Sequence, residues 1–337
     1  MNILVTGGAG YIGTHTLIEL ISSGHKPVVV DNLSNSSEEA VKRVEKIVGQ
    51  QIPFHNVTVQ DEPAMRRIFE QYPFDAVIHF AGLKAVGESV QKPLEYYKNN
   101  LDSTLVLLDL AKEFAVKKFI FSSSATVYGT PEELPLKETS RVGVGLTNPY
   151  GRTKYMLEEV LKDVSVADPS FEITLLRYFN PVGAHESGTI GEDPSDIPNN
   201  LLPYVSQVAV GKLDHVNVFG NDYDTVDGTG VRDYIHVVDL ARGHVAALDH
   251  SRLGVSTYNL ATGKGTSVLE LIAAFSRSAG KEIPYEIAPR RPGDVASCYA
   301  SPALAEQELG WKAEYTIQQA CEDSWRWQSN NPSGYKI

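Results

Sequence analysis

The stretch I-L-V-T-G-G-A-G-Y-I-G occupies positions 3–13 of the chain. Its first three residues are an apolar run typical of a buried strand, and the glycines that follow satisfy G-x-G-x-x-G. A helix is predicted over 14–23, and a second apolar strand over 26–30 ends at Asp31. A strand, a glycine turn, a helix, a strand and an acid within about thirty residues predict a dinucleotide-binding βαβ unit.

The glycines and the acid have separate predicted roles. Gly7, Gly10 and Gly13 allow the backbone to approach a pyrophosphate at a helix N-terminus, where N–H groups are unpaired. Asp31 is suited to an adenosine ribose diol, and its carboxylate would repel a 2′-phosphate. Asn32 follows and no arginine is nearby, so we expect NAD rather than NADP. A tight turn without a ligand is the alternative interpretation.

A hydroxyl, a phenol and an amine at Ser124, Tyr150 and Lys154 form a second group of interest. Tyr150 and Lys154 are four residues apart and therefore share a helix face. For Tyr150 to be a base near pH 7, its pKa of roughly 10 must fall by about three units, or about 4 kcal/mol. One cation at about 4 Å in an effective dielectric of about 20 could supply this, and Lys154 is placed to be that cation. A bound oxidised nicotinamide could be a second. The same spacing also occurs where a packed ring lies beside a lysine stem.

Composition limits the classes of function. The 337 residues are 42% apolar with a net charge of −12, which argues against nucleic acid as a partner and against a basic membrane-binding patch. No apolar run approaches the roughly 18 residues of a membrane span. Cys298 and Cys321 form neither a disulfide framework nor a zinc cluster, and no metal is expected. With a predicted strand directly after Asn2 we expect no signal peptide and a cytoplasmic location.

Strands and helices alternate along the first half of the chain. The predicted strands lie near Asn56–Gln60, Ala76–Phe80, Lys118–Ser122 and Phe171–Arg177, and the predicted helices near Glu62–Gln71, Pro93–Phe114 and Pro149–Val166. This pattern predicts an α/β protein with a Rossmann-type, doubly wound parallel sheet. Ligands of such sheets bind at the carboxyl ends of strands, where the residues singled out above fall.

The regular alternation of strands and helices ends after Asn180. Loops lengthen, arginines appear singly, and residues 237–249 and 257–261 are predicted to return to the sheet as a helix and a strand. We therefore expect an NAD-binding domain over 1–180 plus 237–262. A smaller, discontinuous α/β domain for the substrate is expected over 181–236 plus 263–337.

These motifs together resemble a known family. The glycine turn, Asp31, S-S-S-A-T-V-Y-G at 122–129 and Tyr-x-x-x-Lys are similar to the extended short-chain dehydrogenases/reductases. Four longer stretches resemble the UDP-galactose 4-epimerases: H-F-A-G-L-K-A-V-G-E-S-V at 79–90, L-L-R-Y-F-N-P-V-G-A-H at 175–185, N-N-L-L-P-Y at 199–204 and G-T-G-V-R-D-Y-I-H-V at 228–237. The resemblance covers nearly the whole chain.

The resemblance implies a reaction on a UDP-sugar, in a homodimer that keeps NAD bound. Tyr150 would take the proton of the sugar 4-hydroxyl while C4 passes a hydride to NAD, and Ser124 would hydrogen-bond the same oxygen. Lys154 would lower the Tyr150 pKa and hold the nicotinamide ribose. The implied NAD contacts beyond the glycines are Tyr11, Ile12, Asp31, Asn32, Phe80, Lys84, Asn99 and Phe179. The implied UDP-sugar contacts are Asn180, Asn200, Phe219, Arg232, Arg291 and Asp294, and arginines suit a diphosphate.

Two positions depart from the family pattern. Thr58 stands where the family often has an Asp on the adenine, which puts that contact in doubt. Cys298 stands where members restricted to UDP-glucose and UDP-galactose have a bulky Tyr. The smaller side chain leads us to expect conversion of UDP-GlcNAc and UDP-GalNAc as well. Alternatively, Tyr299 could occupy the same place after a one-residue shift.

Two other functions use a similar scaffold. A nucleotide-sugar 4,6-dehydratase usually has Asp-Glu just after the serine position, where this chain has Ala125 and Thr126. An NAD-binding regulator can lose the Tyr or the Lys, and this chain has both.

Overall fold

The computed structural model describes residues 1–194, 198, 200–291 and 293–336. Its strands are β1 (Asn2–Thr6), β2 (Lys26–Asp31), β3 (Phe54–Asn56), β4 (Ala76–His79), β5 (Lys118–Ser124), β6 (Glu172–Tyr178), β7 (Asn180–Val182), β8 (Val216–Phe219), β9 (Val231–Arg232), β10 (Tyr234–His236), β11 (Gly254–Leu260), β12 (Thr266–Ser267), β13 (Tyr285–Ala288) and β14 (Ser297–Cys298). Its helices are α1 (Tyr11–Ser22), α2 (Glu38–Val48), α3 (Glu62–Gln71), α4 (Val86–Gln91), α5 (Pro93–Glu113), α6 (Pro149–Ala167), α7 (Leu201–Ala209), α8 (Val237–Asp249), α9 (Val268–Ala279), α10 (Ala303–Leu309) and α11 (Ile317–Asn330), with a 3₁₀ turn at Ala125–Tyr128.

A seven-stranded parallel sheet organises the molecule, with the order β11-β6-β5-β4-β1-β2-β3. The chain winds outward from β1 in one direction through β2 and β3, and in the other through β4, β5, β6 and β11. The predicted Rossmann-type fold class is therefore confirmed. The order reverses between β1 and β4, and a ligand crevice is expected at the carboxyl ends of these two strands.

Alternation along the strands supplies a core on each face of the sheet. Ile3 and Val5 pack on one face with Leu17 of α1. Leu4 points to the other face and packs in a cluster with Leu107 of α5 and Leu157 of α6. Successive strand residues point to opposite faces, so β1 is apolar at every one of these positions because both faces are covered by helices.

The third strand lies earlier in the chain than predicted. β3 pairs with β2 through Val29–Phe54 and Asp31–Asn56, so the predicted strand over Asn56–Gln60 is wrong except at its first residue. Val59 is buried without pairing in the sheet, so packing rather than strand pairing accounts for its apolar character.

Shorter sheets and a separate core lie beyond the main sheet. β10 pairs with β7, β9 lies between β12 and β14, and β13 pairs with β8. A third cluster of buried residues packs among α7, α9 and α11. The division into two domains with the boundaries given above stays a prediction. Among the described residues, no helix combines the length and apolar character needed to cross a membrane.

Candidate active site

The glycine turn lies directly against the end of β4. A Cβ added to Gly7, whose φ is +70°, would lie 2.7 Å from the Ala81 nitrogen, and one on Gly13 would lie 2.5 Å from the Gly7 oxygen. Side chains are excluded at both positions. None of the described side chains caps the N-terminus of α1 at Gly10, so its backbone N–H groups can face an anion. The turn therefore fits a pyrophosphate.

Asp31 is held beside this turn at the end of β2. Its carboxylate accepts hydrogen bonds from the Ala9 nitrogen at 3.1 Å, the Leu33 nitrogen at 2.9 Å and the Ser36 hydroxyl at 2.8 Å. Only 8% of the residue is exposed. Charge-assisted hydrogen bonds fix the carboxylate where it could accept further bonds from a ribose diol.

Thr58 lies close to the predicted adenine site through its neighbour Asn32. The Asn32 side-chain amide donates to the Thr58 hydroxyl at 3.4 Å. The Thr58 hydroxyl is thus next to Asn32, and its contact with the adenine stays in doubt.

Ser124, Tyr150 and Lys154 come together at the end of β5. The α6 helix begins at Pro149, because the Asn148 side chain accepts the Gly151 N–H at 2.8 Å, and its first two turns therefore present Tyr150 and Lys154. The Ser124 hydroxyl accepts from the Thr126 N–H at 3.2 Å and from the Thr126 hydroxyl at 3.0 Å, and it lies close enough to Tyr150 to affect the pKa of the phenol. The Lys154 ammonium donates to the Ser122 carbonyl at 2.6 Å and lies 5.9 Å from the Tyr150 ring centroid.

Burial dominates the ionisation of both groups. Burial raises the pKa of Tyr150, and the hydrogen bond from Ser124 acts in the opposite direction. Burial also lowers the pKa of Lys154 to about 8. The polypeptide's own groups thus do not bring Tyr150 to a neutral pKa, and the predicted lowering stays a prediction for the enzyme with its cofactor.

Three of the other predicted cofactor residues, Phe80, Tyr11 and Ile12, belong to the elements that adjoin the turn. Phe80 follows β4, and its ring centroid lies 4.8 Å from that of His244. Tyr11 donates its hydroxyl to the Gly183 carbonyl at 2.7 Å, and Ile12 packs against the core cluster on the α1 face of the sheet.

Three more of these residues come from separate elements. Lys84 lies 3.4 Å from Glu192 in an ion pair at the surface. Asn99, on α5, accepts two hydrogen bonds from Gln60, each at 2.9 Å. Phe179 follows β6 and is buried.

Four of the predicted substrate residues form one cluster. Asp294 lies 3.0 Å from the Arg291 Nε and 3.8 Å from an Arg232 Nη. The Arg291 guanidinium lies 4.7 Å from the Phe219 ring centroid. Two cations held by one carboxylate beside an aromatic ring could bind a diphosphate and stack a base.

The remaining two predicted substrate residues lie outside this cluster. Asn180 begins β7, and its N–H donates to the Asp233 carbonyl at 3.0 Å. Asn200 precedes α7, and its amide is 3.4 Å from Glu192. Asn199 and Pro292, which belong to or adjoin the stretches discussed above, lie outside the described residues.

Cys298 lies on the strand next to that of Arg232. In β14 it pairs in register with Arg232 of β9, and it packs against the cluster that includes Val127 and Phe179. Burial raises the pKa of the thiol to about 11, so it is a small neutral side chain rather than a nucleophile. A Cβ on Gly265 would lie 3.3 Å from the Tyr299 ring, so Tyr299 packs beside Gly265.

Sequence reasoning missed several buried polar residues behind the site. Glu158, Arg177 and Ser123 form a hydrogen-bonded group beneath Lys154. The signal available for Glu158 is its spacing, since it is four residues after Lys154 and eight after Tyr150 on one helix.

A dinucleotide turn beside a Ser-Tyr-Lys group at the switch point of a parallel sheet defines an NAD-dependent enzyme of the extended short-chain dehydrogenase/reductase class. The chain belongs to the NAD dependent epimerase/dehydratase family, which it matches over residues 3–261. It is 59% identical over 338 residues to the UDP-glucose 4-epimerase of Bacillus subtilis, covering 100% of this chain and 99% of that one. It is 56% identical over 341 residues to the UDP-glucose 4-epimerase of Homo sapiens, covering 99% and 98%.

A solved structure shares the fold over the same length. The UDP-glucose 4-epimerase from Bifidobacterium longum, in complex with NAD⁺ and UDP, is 61% identical with a TM-score of 0.96, covering 99% of this chain and 100% of that one. The predicted family, the assignment as an NAD-dependent epimerase and the choice of NAD as cofactor are therefore confirmed.

Proposed function

We propose that the chain catalyses the reversible 4-epimerisation of UDP-hexoses. The observation behind the proposal is that one edge of the sheet combines the glycine turn, the neighbouring side chains of Ser124 and Tyr150, and Lys154. The arginine pair Arg232 and Arg291 meets at Asp294. The high identity to UDP-glucose 4-epimerases over the full chain length supports this choice within the family.

In this proposal the chain's own residues manage the proton and the charge. NAD, when bound, accepts and returns the hydride at the sugar C4. Tyr150 removes the proton from the 4-hydroxyl and later returns it, and Ser124 hydrogen-bonds the same oxygen. Lys154 favours the phenolate form of Tyr150 by its charge. After the sugar has turned over, a hydride returned to the opposite face of C4 would invert that carbon, and Tyr150 would return the proton to the C4 oxygen.

We assign the cofactor contacts by the elements that support them. The backbone of Gly7, Gly10 and Gly13 would hold the pyrophosphate, and Asp31 would hold the adenosine ribose. The further residues proposed to contact NAD are Tyr11, Ile12, Asn32, Phe80, Lys84, Asn99 and Phe179.

We assign the UDP end of the substrate to the cluster around Asp294. Arg232 and Arg291 would exchange part of their contact with Asp294 for the diphosphate, and Phe219 would stack on the uracil. Asn180 and Asn200 complete the proposed set. A firmly held diphosphate leaves the sugar free to turn over between the two hydride transfers.

We further propose that the N-acetylated sugars are substrates. Two observations support this: Cys298 packs against the cluster that contains Phe179, and Tyr299 packs beside Gly265. Tyr299 follows the end of β14, and its ring lies against Gly265, which argues against Tyr299 filling the place of the missing Tyr. A 2-acetamido group would then lie beside the thiol.

The assembly and location are also proposals. Leu94 on α5 is 73% exposed, and Leu105 of α5 and Met156 of α6 are exposed as well. A second copy that packs its α5 and α6 against these residues would bury them in a homodimer. A cytoplasmic location is supported by the free thiols of Cys298 and Cys321.

The experiment that tests the proposed function uses purified protein with no added NAD. The protein is incubated separately with UDP-galactose and with UDP-GalNAc, and the products are separated. We expect conversion of both. Conversion of UDP-galactose alone would refute the N-acetyl proposal and leave the mechanism intact. Conversion of neither by protein that contains NAD would refute the epimerase and favour a dehydratase or a regulator.

A further inference from the structure

Glu158 is a buried carboxylate on the helix that also presents the predicted catalytic residues. It is one turn beyond Lys154 and two turns beyond Tyr150 on α6, so all three lie on one face of the helix. Its side chain is fully buried. A carboxylate is rarely buried this completely unless it is paired, because loss of hydration disfavours the charge.

Two strands of the sheet supply the partners of Glu158. Ser123 of β5 donates to its Oε1 at 2.6 Å. Arg177 of β6 donates from Nε to Oε1 at 2.9 Å and from Nη2 to Oε2 at 2.6 Å. The bidentate geometry and the third bond satisfy the carboxylate and fix its orientation.

Arg177 extends the same network to the far side of the site. Its Nη1 donates to the Tyr128 hydroxyl at 3.2 Å and to the Glu138 carbonyl at 3.1 Å. Tyr128 in turn donates to Asn259 of β11 at 2.6 Å. The carboxyl ends of β5, β6 and β11 are thereby joined to one point on α6.

The contacts between β5 and α6 follow a consecutive order on the strand. The Ser122 carbonyl accepts from Lys154, Ser123 donates to Glu158, and the Ser124 hydroxyl lies close enough to Tyr150 to affect the pKa of the phenol. A displacement of the helix along the strand would break the first two contacts and move Tyr150 away from Ser124. Of the three helix residues, Glu158 is fully buried and is held by bonds from two strands, so it anchors the helix most firmly.

Glu158 is also a negative charge close to Lys154. Among the described residues, Tyr150 on the same helix and His79 at the end of β4 are the other titratable side chains that interact with the ammonium, and Arg177 of β6 pairs with the Glu158 carboxylate. Burial lowers the pKa of His79 to about 3, so it is neutral. The charge of Glu158 opposes the effect of burial on the pKa of Lys154.

We propose that Glu158 is a positioning residue that, through Ser123 and Arg177, fixes α6 against β5 and favours the charged form of Lys154. The proposal rests on the proposed epimerase function. It assigns the buried ion pair a role in the reaction, since burying two charges is a poor way to gain stability when an apolar pair would pack as well.

The test compares Glu158→Gln with the wild type, with Glu158→Asp and with Glu159→Gln. The amide of the Glu158→Gln variant can still accept a hydrogen bond from Ser123 but has no charge. The Glu158→Asp variant keeps the negative charge on a side chain that is one methylene group shorter. Glu159 is the matched control, because it is a carboxylate on the same helix, paired with Lys162 at the surface. Each protein is assayed for kcat and KM with UDP-galactose from pH 5 to pH 10.

We expect Glu158→Gln to lower kcat by about tenfold with KM changed by less than about twofold. The alkaline limb of kcat, where Lys154 loses its proton, should move to lower pH by about one unit, because the carboxylate no longer favours the ammonium. Glu158→Asp should restore the position of the limb but not the full kcat, and Glu159→Gln should match the wild type. Carbon-13 NMR of labelled lysine should show the same shift for Lys154, whose resonance is the one missing from Lys154→Arg.

A folded Glu158→Gln protein with the limb and kcat of the wild type would overturn the proposal. If that variant does not fold, Glu158→Asp decides: a folded protein with unaltered kcat would show that Glu158 only stabilises the chain. An active wild type with unaltered variants would refute this inference alone. A wild type that does not convert UDP-galactose would refute the proposed function, and the inference with it.

Discussion

Replacing Lys154 with methionine removes a buried ammonium group and keeps a flexible apolar side chain. The ammonium lies 5.9 Å from the Tyr150 ring centroid. At about that separation, opposite unit charges in an effective dielectric of about 20 attract by about 3 kcal/mol, which equals about two pKa units. The positive charge favours the phenolate, so its removal should raise the pKa of Tyr150 by about two units.

The sign of the effect on the rate follows from the role of Tyr150 as a base. The acid limb of the kcat profile marks the ionisation of the base, and in the variant it should move to higher pH by about two units. At a pH below the acid limbs of both proteins, kcat of the variant should therefore be about a hundredfold lower than that of the wild type. The wild type should also lose activity above the Lys154 pKa of about 8, and the variant should not show that alkaline limb.

The assay is a kcat profile for UDP-galactose conversion, with retained NAD measured by absorbance for each protein. The matched control is Lys162→Met, because Lys162 is on the same helix and pairs with Glu159 at the surface. Its profile should equal that of the wild type. An acid limb of Lys154→Met within about half a unit of the wild type would refute the electrostatic role of Lys154.

Cys298→Tyr should abolish conversion of UDP-GalNAc and leave kcat for UDP-galactose within about threefold, as a product assay with both sugars would show; equal loss of both would contradict the pocket proposal. Asp31→Ala leaves three donors without their acceptor, so the free energy of unfolding should fall by about 1–3 kcal/mol and co-purified NAD should decrease, as thermal unfolding and absorbance of the released cofactor would report. Arg232→Leu should raise KM for UDP-galactose by about 10- to 100-fold with a smaller change in kcat, because a lost charge-assisted bond to the diphosphate costs about 1.5–3 kcal/mol; a fall in kcat alone would place Arg232 elsewhere. Leu94→Glu should give monomers in light scattering if α5 forms the proposed dimer contact, and an unchanged mass would exclude that face.

The sequence predicts the glycine turn and the helix bounds because these features depend on residues that are close together in the chain. The glycine turn needs positions without a Cβ, and the structure places the Gly7 and Gly13 backbones too close to their neighbours for any side chain. The helix over Glu62–Gln71 has the predicted bounds, because Asp61 and Pro63 mark its beginning.

The parts that sequence reasoning misses depend on tertiary contacts. The spacing of Glu158 places it on the helix face of Lys154 and Tyr150, but only the packing of α6 on β5 and β6 shows that it is buried against Arg177. Val57 and Val59 suggest a strand, yet β3 ends at Asn56 and Val59 is buried by packing alone. A sequence pattern does not distinguish an apolar residue in a ladder from one in a buried turn.

The opposed ionisation of Tyr150 and Lys154 connects cofactor binding to catalysis. Burial favours the neutral forms of both side chains, whereas the proposed reaction needs the phenolate and the ammonium. The chain offsets this for Lys154 with the Glu158 carboxylate and the Ser122 carbonyl, and for Tyr150 with Ser124. A further positive charge near Tyr150 would favour the phenolate, and oxidised nicotinamide has that charge whereas the reduced form does not. The pKa of Tyr150 should therefore be lower before hydride transfer, when the phenolate must be ready to take a proton. It should be higher once the hydride has been transferred, when the proton must be held for return.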